Sequence, residues 1–592
     1  MMRWPLAVAL SIMLMTITGF AADAGVEARR KQLKSALDDE WEYALRTHPE
    51  FATYVGDSRY NDRLSDYSPE AVERDLKHAQ EALKHIEAID ATGFPEQEKL
   101  NQQLAVRELR EQTESTLLKE WEMPVNQMGG IHLEYAAMPS QLPFRTAKDY
   151  EDYLARLHQM PRAFDQTITV MRLGMKDHMM PPRYVMEKVA TQAEDIADKL
   201  PEASPFARPV LKFPSGIPEA DQKRLRDAVL AAVRNQVGPA YATFAKFVRI
   251  EYAPRGRTDY GVWALPNGDA IYRFDVRQMT TTDLAPEAIH RMGLKQVDEI
   301  EAEMLKIARQ QGFSDLKSFN AHIRTDRKLY ATSGQQLLDL YQHYTDQMYA
   351  KLPQLFGHLP HNKLEVVPME DYRAPDEVPA DYSPGAPQSG RPGRINVNEY
   401  APEKRLLLNA EAIAYHEGIP GHHLQFTIAA ELPELPPFRK YAEFTAYSEG
   451  WAFYAERLGK EVGFYQDPYS EYGRLGNEMW RAVRLVVDTG VHSKHWSRDQ
   501  MLDFFRQHTA MDEQNIVTEV DRYIVWPGQA LAYKLGQMKI IELRERARQR
   551  LGERFDIRMF HDAVLDEGPV PLDVLEKRMD GWIASQKTGA GQ

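Results

Sequence analysis

The chain has 592 residues and a formal net charge of −14, with 43% hydrophobic and 10% aromatic residues. This composition supports a large hydrophobic core and excludes a disordered or fibrous protein. The acidic balance argues against nucleic acid as the main partner, because a phosphate-binding surface needs a surplus of lysine and arginine. Cysteine is absent, so we expect neither disulfides nor lipid attachment through cysteine.

The first 24 residues have the pattern of a secretory signal peptide. One early arginine is followed by an apolar run from Trp4 to Phe20 and then by small residues, which allow cleavage after Ala22 or Ala24. A membrane anchor is the alternative, but the run is short, and no later stretch has the ~20 apolar residues of a membrane helix. We expect an exported, periplasmic protein without stable membrane insertion after cleavage.

Apolar residues at three- and four-residue spacing predict helices over most of the chain. The segment 26–122 has this pattern, and Ser68-Pro69 is a typical helix start because serine caps and proline fits the first turn. Further helices are expected within 147–200 and 218–252, and again from about 403 onward. Residues 25–592 are predicted to form one helical domain, loosely divided into an N-terminal lobe 25–350 and a second lobe 351–592.

Three segments favour strands instead. At 260–278, an Asn-Gly pair lies between alternating apolar and polar residues, which predicts a β-hairpin. KLEVVPM (363–369) and RINVNEY (394–400) are the other two, and the proline- and glycine-rich segment 374–393 between them is expected to be a loop or a lid. The predicted fold is therefore mainly α, with a small antiparallel sheet near the histidine cluster described next.

AYHEGIPGHHLQF (414–426) begins like a zinc-protease helix. In HExxH, two histidines four residues apart share a helix face and the glutamate acts as base. Here His416-Glu417 is followed by Pro420-Gly421, and the next histidines are His422 and His423. In an unbroken helix these would lie ~9 and ~10.5 Å further along the axis, too far to converge with His416 on one ion. We expect Pro420-Gly421 to break the helix and bring one of them back.

A third ligand is expected from AEFTAYSEGWAFYAE (442–456). Bulky aromatic residues around Glu449 indicate a buried helix, and a buried carboxylate needs a partner or a metal. A glutamate on the following helix is the usual third ligand in His₂Glu zinc sites. The interpretation is one zinc ion per chain, bound by His416, Glu449 and either His422 or His423. The alternative is a Glu449 that forms a salt bridge or faces solvent.

Several motifs together resemble a known bacterial family, domain of unknown function 885. They are LPNGDAIYRF…TTTDLAPEAIHRMGL (265–294), RPGRINVN (391–398), YHEGIPGHHLQ (415–425), SEGWAFYAE (448–456), VVDTGVHSKHW (486–496) and VDRYIVWPGQALAYKLGQ (520–537). That family is similar to helical, gluzincin-like zinc peptidases of the converting-enzyme, thimet oligopeptidase and thermostable carboxypeptidase groups. The resemblance implies a mainly α-helical fold with a deep cleft, a His-Glu…His…Glu metal site and peptide hydrolysis.

Carried onto this chain, the resemblance implies His416 as first ligand, Glu417 as general base and Glu449 as third ligand. Gly421-His422 is similar to the end of the HExGH motif. The stretch that begins at His423 is similar to the stretch that follows this motif in converting enzymes, so both histidines stay candidates. Tyr523 lies in an Arg-Tyr pair that resembles the converting-enzyme pair and is the first candidate to stabilise an oxyanion. Tyr533 and His492 follow; the alternative for all three is a structural role in the core.

Substrate contacts are expected near RINVNEY, as an exposed strand that carries Asn396 and to which a peptide could add through main-chain hydrogen bonds. Candidates for holding a peptide carboxylate are Arg391, Arg394, Arg522 and Lys534, with a solvated charge as the alternative for each. The predicted function is an exported zinc-dependent peptidase acting on small or unfolded peptides. A metal-assisted amidase on cell-wall peptides and a peptide-binding protein without activity are the alternatives.

Overall fold

The computed structural model describes residues 7–369, 374, 378–385, 391–432 and 435–588, with side chains from residue 24 to residue 587. The chain divides by contact into two compact units, Met1–Thr258 and Asp259–Gln592. This boundary lies earlier than the lobe boundary expected at 350/351, because helices between 268 and 349 pack onto helices of the second unit. Among the described residues, no helix is both long and apolar enough to cross a membrane.

The first unit is helical, as the apolar spacing predicts. Its helices are α1 (Ala7–Thr47), α2 (Pro49–Tyr54), α3 (Pro69–Glu87), α4 (Glu96–Leu118), α5 (Ile131–Ala137), α6 (Ala147–Asp177), α7 (Arg183–Ala197), α8 (Arg208–Leu211), α9 (Glu219–Ala232) and α10 (Gly238–Phe247). The predicted start of α3 is confirmed: the Ser68 hydroxyl accepts a hydrogen bond from the Ala71 amide (3.2 Å) and Pro69 occupies the first turn.

The second unit contains the candidate site. Its helices are α11 (Gly268–Thr280), α12 (Pro286–Gln310), α13 (Leu316–Thr325), α14 (Gly334–Tyr349), α15 (Leu352–Leu355), α16 (Ala410–Glu417), α17 (His422–Glu431), α18 (Pro437–Lys440), α19 (Thr445–Glu461), α20 (Pro468–Ser493), α21 (Arg498–His508), α22 (Glu513–Val525), α23 (Ala532–Leu551), α24 (Ile557–Leu565) and α25 (Leu572–Thr588). Its strands are β1 (Leu364–Pro368), β2 (Ala380–Ser383) and β3 (Gly393–Val397). The fold class is mainly α, as predicted.

The small sheet has the order β1-β3-β2, and it packs on α14 and α16 through buried residues such as Ile395 and Ala414. The strands expected at 363–369 and 394–400 are confirmed as β1 and β3, but these two pair in parallel, so the sheet is mixed rather than antiparallel. The segment 374–393 is not all loop, because it contributes β2. Since β3 lies between two strands, its main-chain groups are already paired, and the exposed strand expected at RINVNEY is wrong.

The hairpin predicted at 260–278 is also wrong, because α11 occupies most of it. Asn267 does take the left-handed conformation (φ 58°) that an Asn-Gly pair favours, but the chain then enters a helix at Gly268. The buried residues Gly268, Ile271, Tyr272 and Asp275 recur at three- and four-residue spacing, so the same letters fit a helix face. A short apolar stretch satisfies both periods, and tertiary packing decides between them.

Helices α19 and α23 pack closely where two glycines face each other. A Cβ added to Gly536 would lie 1.9 Å from the Ala446 carbonyl oxygen and 2.7 Å from the Cα of Gly450. The helices run in the same direction, because Gly450 meets Gly536 and Glu461 further along pairs with Arg544. This close approach fixes the position of α19, and therefore of Glu449, along the axis of α23.

Replacing Gly536 by alanine should force α19 and α23 apart and lower the melting temperature, because overpacking of this kind costs about 1–3 kcal/mol or more. Gly581→Ala is the matched control, since Gly581 is an exposed residue of α25 with no atom near its added Cβ, and this variant should gain about 0.5–1 kcal/mol. Thermal unfolding of both variants checks this. Equal melting temperatures for Gly536→Ala and wild type would show that the two helices tolerate a wider spacing.

Candidate metal centre

The helix break predicted at Pro420-Gly421 is present. Helix α16 ends at Glu417 and α17 begins at His422, with a cis peptide bond between Ile419 and Pro420. A Cβ on Gly421 would lie 2.0 Å from the His416 carbonyl oxygen, so only glycine permits this approach. Buried Trp451 of α19 donates a hydrogen bond from Nε1 to the Pro420 carbonyl oxygen (2.9 Å), which ties the break to the helix that carries Glu449.

The break brings His416, His422 and Glu449 together. Glu449 Oε2 lies 3.5 Å from His416 Nε2 and 3.6 Å from His422 Nε2, and the ligand atoms of all three residues lie within 4.8 Å of one another. The two imidazole rings are nearly perpendicular, with centroids 4.9 Å apart. Three groups from three different helices therefore converge on one point.

These separations fit a metal better than they fit direct hydrogen bonds. A hydrogen bond from an imidazole to a carboxylate is typically about 2.7–2.9 Å long, shorter than either distance here. Ligand atoms ~2.1 Å from a tetrahedral zinc ion are roughly 3.4 Å apart, and two histidines with one glutamate are a usual catalytic set. Within the described residues, the donor types and their spacing therefore fit a zinc ion.

Glu456 orients the first histidine. His416 Nδ1 donates a hydrogen bond to Glu456 Oε1 (2.9 Å), which directs Nε2 at Glu449. Carboxylates commonly support metal-binding histidines in this way. The sequence interpretation missed this role, although Glu456 lies seven residues after Glu449 and so on the same face of α19.

The electrostatics of the site favour a cation. Burial alone would lower the pKa of His416, but Glu449 and Glu456 beside its two ring nitrogens raise it to about 10. Burial would raise the pKa of Glu449, but His416 and His422 hold it well below its usual range. Half-buried Glu449 and buried Glu456 thus stabilise positive charge between them, and a proton or a metal ion can supply it.

Glu417 lies at the end of α16, next to the first candidate ligand, and is half-buried. Burial raises its pKa; His416 and His422 oppose this rise, whereas Glu449 and Asp381 of β2 add to it. A carboxylate with a raised pKa is a stronger base than one in water. This is the environment that a general base requires.

His423 points away from this group. Its Nδ1 accepts a hydrogen bond from the Tyr382 hydroxyl (3.1 Å), and its Nε2 donates to the Asn362 carbonyl oxygen (3.2 Å). Burial lowers the pKa of His423 to about 4, which keeps the ring neutral. Of the two candidates for second ligand, the structure brings His422 to the site and gives His423 a structural environment beside the sheet.

The candidates for the oxyanion differ in what their polar atoms contact. The Tyr523 hydroxyl accepts from Trp480 Nε1 (3.1 Å) and Arg484 Nε (2.8 Å) and donates to Glu519. His492 is buried, accepting from the Val262 amide and donating to the Tyr523 carbonyl oxygen (2.9 Å).

Tyr533 has a different set of partners. Its hydroxyl accepts from Arg522 Nη2 (3.2 Å) and Gln529 Nε2 (3.4 Å), which leaves its proton to be donated elsewhere. It lies on α23 one turn before Gly536, the residue that meets Gly450. Because α19 and α23 run in the same direction, Tyr533 is level with the turn that carries Glu449.

The residues expected to bind substrate are dispersed. Lys534 is buried and donates to Glu478 and Gln537 (both 2.8 Å). Arg394 is exposed and lies 3.5 Å from Glu365 on the neighbouring strand. Exposed Arg391 reaches the Pro384 carbonyl oxygen, Asn396 donates to Asp381 and Ser383, and Arg522 donates to Gln529 and Tyr533.

Comparison with known proteins identifies the family. Residues 49–579 match the model of the family described as "Bacterial protein of unknown function (DUF885)", so the chain belongs to that family, as its motifs predict. None of the curated proteins matches the chain. The likeness to helical zinc peptidases stays a prediction.

Two solved structures share the fold over nearly the whole chain. A candidate lipoprotein from Colwellia psychrerythraea is 28% identical, with a TM-score of 0.88 over 94% of this chain and 100% of that chain. A candidate lipoprotein of unknown function from Shewanella oneidensis is 16% identical, with a TM-score of 0.72 over 93% of this chain and 99% of that chain. The second likeness concerns the fold alone.

His422→Ala and His423→Ala should differ in metal content. The first variant should lose stoichiometric zinc, because it removes an atom that faces His416 and Glu449, whereas the second should retain about one zinc per chain. Elemental analysis of the purified variants after dialysis checks this. Zinc lost from His423→Ala but kept in His422→Ala would reverse the ligand assignment.

Proposed function

We propose that this member of the DUF885 family is an exported zinc-dependent peptidase that acts on small or unfolded peptides. The observation that carries the proposal is the convergence of His416, His422 and Glu449 at ligand-like spacing, with Glu417 adjacent. Three protein ligands from a His₂Glu set leave one position for water or substrate, which distinguishes catalytic zinc sites from structural ones. A peptide-binding protein has no need of a base at this position.

His416, His422 and Glu449 would hold a zinc ion, which would supply a Lewis acid for the scissile carbonyl and for the attacking water. Glu417 then has two tasks: it takes the proton of the attacking water and returns it to the leaving amine. Its half-buried position supports both, because burial raises its pKa towards neutrality. Because Nδ1 of His416 donates to Glu456, Nε2 is the ring nitrogen that would face the metal.

Tyr533 is the better-placed donor to the developing oxyanion. Tyr523, the first candidate from the sequence, already gives its proton to Glu519. The Tyr533 hydroxyl accepts two hydrogen bonds and keeps its own proton available, at the level of Glu449 on the facing helix. Arg522 donates to the same hydroxyl, and successive hydrogen bonds in a chain strengthen one another.

Export to the periplasm is part of the same proposal. The N-terminal pattern of a signal peptide and the similarity to the candidate lipoprotein from Colwellia psychrerythraea support it.

Glu417→Gln should keep zinc and lose nearly all turnover, since glutamine retains the shape of the side chain but cannot accept the proton. We expect a loss of at least about 100-fold in kcat. The measurement is hydrolysis of a mixed peptide library, followed by mass spectrometry, with zinc content measured on the same samples. Unchanged activity in Glu417→Gln would refute the assignment of the base.

The metal itself is tested on the wild-type protein. Removal of zinc with a chelator should abolish hydrolysis, and added zinc should restore it, because the residues alone supply no electrophile. If the purified wild-type protein neither binds zinc nor cleaves any peptide in the library, the proposed function fails.

Tyr533→Phe should lower kcat by about 10²–10³-fold with little change in KM, as expected for loss of one oxyanion donor. Tyr523→Phe is its matched control: it removes a hydroxyl that serves Trp480, Arg484 and Glu519 and should mainly lower the melting temperature. Steady-state kinetics on one cleaved library peptide separate the two. A larger loss of kcat in Tyr523→Phe than in Tyr533→Phe would identify Tyr523 as the oxyanion donor instead.

A further inference from the structure

A cluster of three buried or half-buried arginines, Arg481, Arg484 and Arg522, lies near the candidate metal centre, and two of them share one carboxylate. Arg484 Nη2 lies 3.1 Å from Glu519 Oε2, and Arg522 Nη1 lies 3.6 Å from Glu519 Oε1, so both arginines pair with this single carboxylate. Arg481 is 9% exposed and forms no ion pair among the described residues. Arg484 and Arg522 therefore share Glu519, while Glu456 and Glu449 act on Arg481 without forming an ion pair with it.

Aromatic rings contact the faces of these guanidinium groups. The Arg481 guanidinium carbon lies 4.3 Å from the Trp480 ring centroid and 5.5 Å from that of Phe453. The Arg484 guanidinium lies 4.4 Å from Trp480 and 4.5 Å from Tyr533. Stacking of this kind stabilises the cation through its face but leaves the N–H groups along its edge available.

Several of those N–H groups are buried without an acceptor. In Arg481, Nε and Nη1 have no hydrogen-bond partner, and the same holds for Nη1 of Arg484 and Nε of Arg522. Unsatisfied buried donors on charged groups are costly, which makes several of them in one cluster rare unless a ligand completes them. Burial and the adjacent Arg484 also lower the pKa of Arg481, so the guanidinium gains from any anion that approaches.

The cluster lies within one helical turn of the metal centre. Phe453, which contacts Arg481, follows Glu449 by four residues and precedes Glu456 by three, so all three project from one face of α19. Tyr533 contacts Arg481 and Arg484 and accepts from Arg522. One side of the cluster therefore borders the proposed zinc ligand and the other borders the proposed oxyanion donor.

We propose that Arg481, supported by Arg484 and Arg522, binds a carboxylate of the peptide substrate next to the scissile bond. The planar edge of a guanidinium matches a carboxylate with two parallel hydrogen bonds. This inference rests on the proposed peptidase function and narrows it to peptides with a carboxylate close to the cleaved bond. Two sources supply that carboxylate: the C-terminus and an Asp or Glu side chain.

The test measures binding separately from turnover. Zinc-loaded Glu417→Gln protein is mixed with the tripeptides Ac-Ala-Xaa-Ala, each as the free acid and as the C-terminal amide, and bound peptides are identified by ultrafiltration and mass spectrometry. We expect free acids to bind at least about 100-fold more tightly than amides, as for a site left with unpaired buried donors. Retention of amides only where Xaa is Asp or Glu would identify the side chain as the source.

Arg481→Gln, made in the Glu417→Gln background, should remove the preference for the acid and leave amide binding within about 3-fold. Arg481→Lys should restore part of the preference for the acid, because the lysine ammonium supplies a positive charge but not the two parallel N–H groups of the guanidinium. Arg457→Gln is the matched control: Arg457 is exposed on the same helix as Glu449, and its variant should keep the full preference.

A second readout separates recognition from a structural role. Arg481→Met keeps much of the side-chain volume but removes a buried, unpaired cation, so its melting temperature should equal or exceed that of wild type. A clear fall in melting temperature, together with equal losses for acids and amides in Arg481→Gln, would overturn the proposal.

The outcomes for the two proposals are distinct. Hydrolysis by wild type without any preference for peptides that carry a carboxylate, either at the C-terminus or on an Asp or Glu at Xaa, would overturn the carboxylate site and leave the peptidase standing. Acid-selective binding that depends on Arg481, without hydrolysis by wild type, would support the site and refute the enzyme. Failure of every free acid to bind Glu417→Gln protein would overturn the carboxylate site.

Discussion

The close approach at Gly421 is the constraint on which the candidate site depends. His416 and His422 belong to different helices, and they meet only because the chain turns within the residues between them, where no side chain fits beside the His416 carbonyl oxygen. Main-chain bonds hold the turn from inside, with the His423 amide donating to the Gly418 carbonyl oxygen (3.0 Å). Trp451 holds it from outside through the Pro420 carbonyl oxygen. Because Trp451 and Glu449 share α19, the break and the third ligand are positioned by the same helix.

The second unit separates its charges over a short distance. Glu417, Glu449 and Glu456 surround the two histidines, whereas the arginine cluster gathers about Tyr533 one helical turn away. On the acidic side, the proposed zinc ion would have to displace the proton that the carboxylates hold on His416, so zinc binding would release protons and strengthen as the pH rises. On the basic side, a bound anion would be stabilised by the positive charge of the arginine cluster.

Much of the fold follows from the sequence because long amphipathic helices leave a clear period. The start at Ser68-Pro69 and the strands around Val366 and Ile395 were predictable for local reasons: a cap, a proline and β-branched residues. The segment around Ile271 was not, since its short apolar pattern fits both a strand and a helix, and packing chooses. The metal centre shows the same limit. The helix break was predictable from Pro420-Gly421, but the choice of His422 over His423 depends on the direction that α17 takes after it.

The spacing of residues in the sequence could not predict the roles of Glu456 and Arg481. Both act across helices: Glu456 through His416 of α16, and Arg481 through Phe453 of α19 and Tyr533 of α23. A protein selected for stability alone would place an apolar residue at Arg481, because a buried, unpaired cation opposes folding. Cation–π contacts with Trp480 offset part of that cost and still leave the hydrogen-bonding edge open. Because aromatic rings contact only the face of the Arg481 guanidinium, its N–H groups are pre-organised to bind a ligand. The stability that the protein loses at Arg481 is therefore the cost of recognising that ligand.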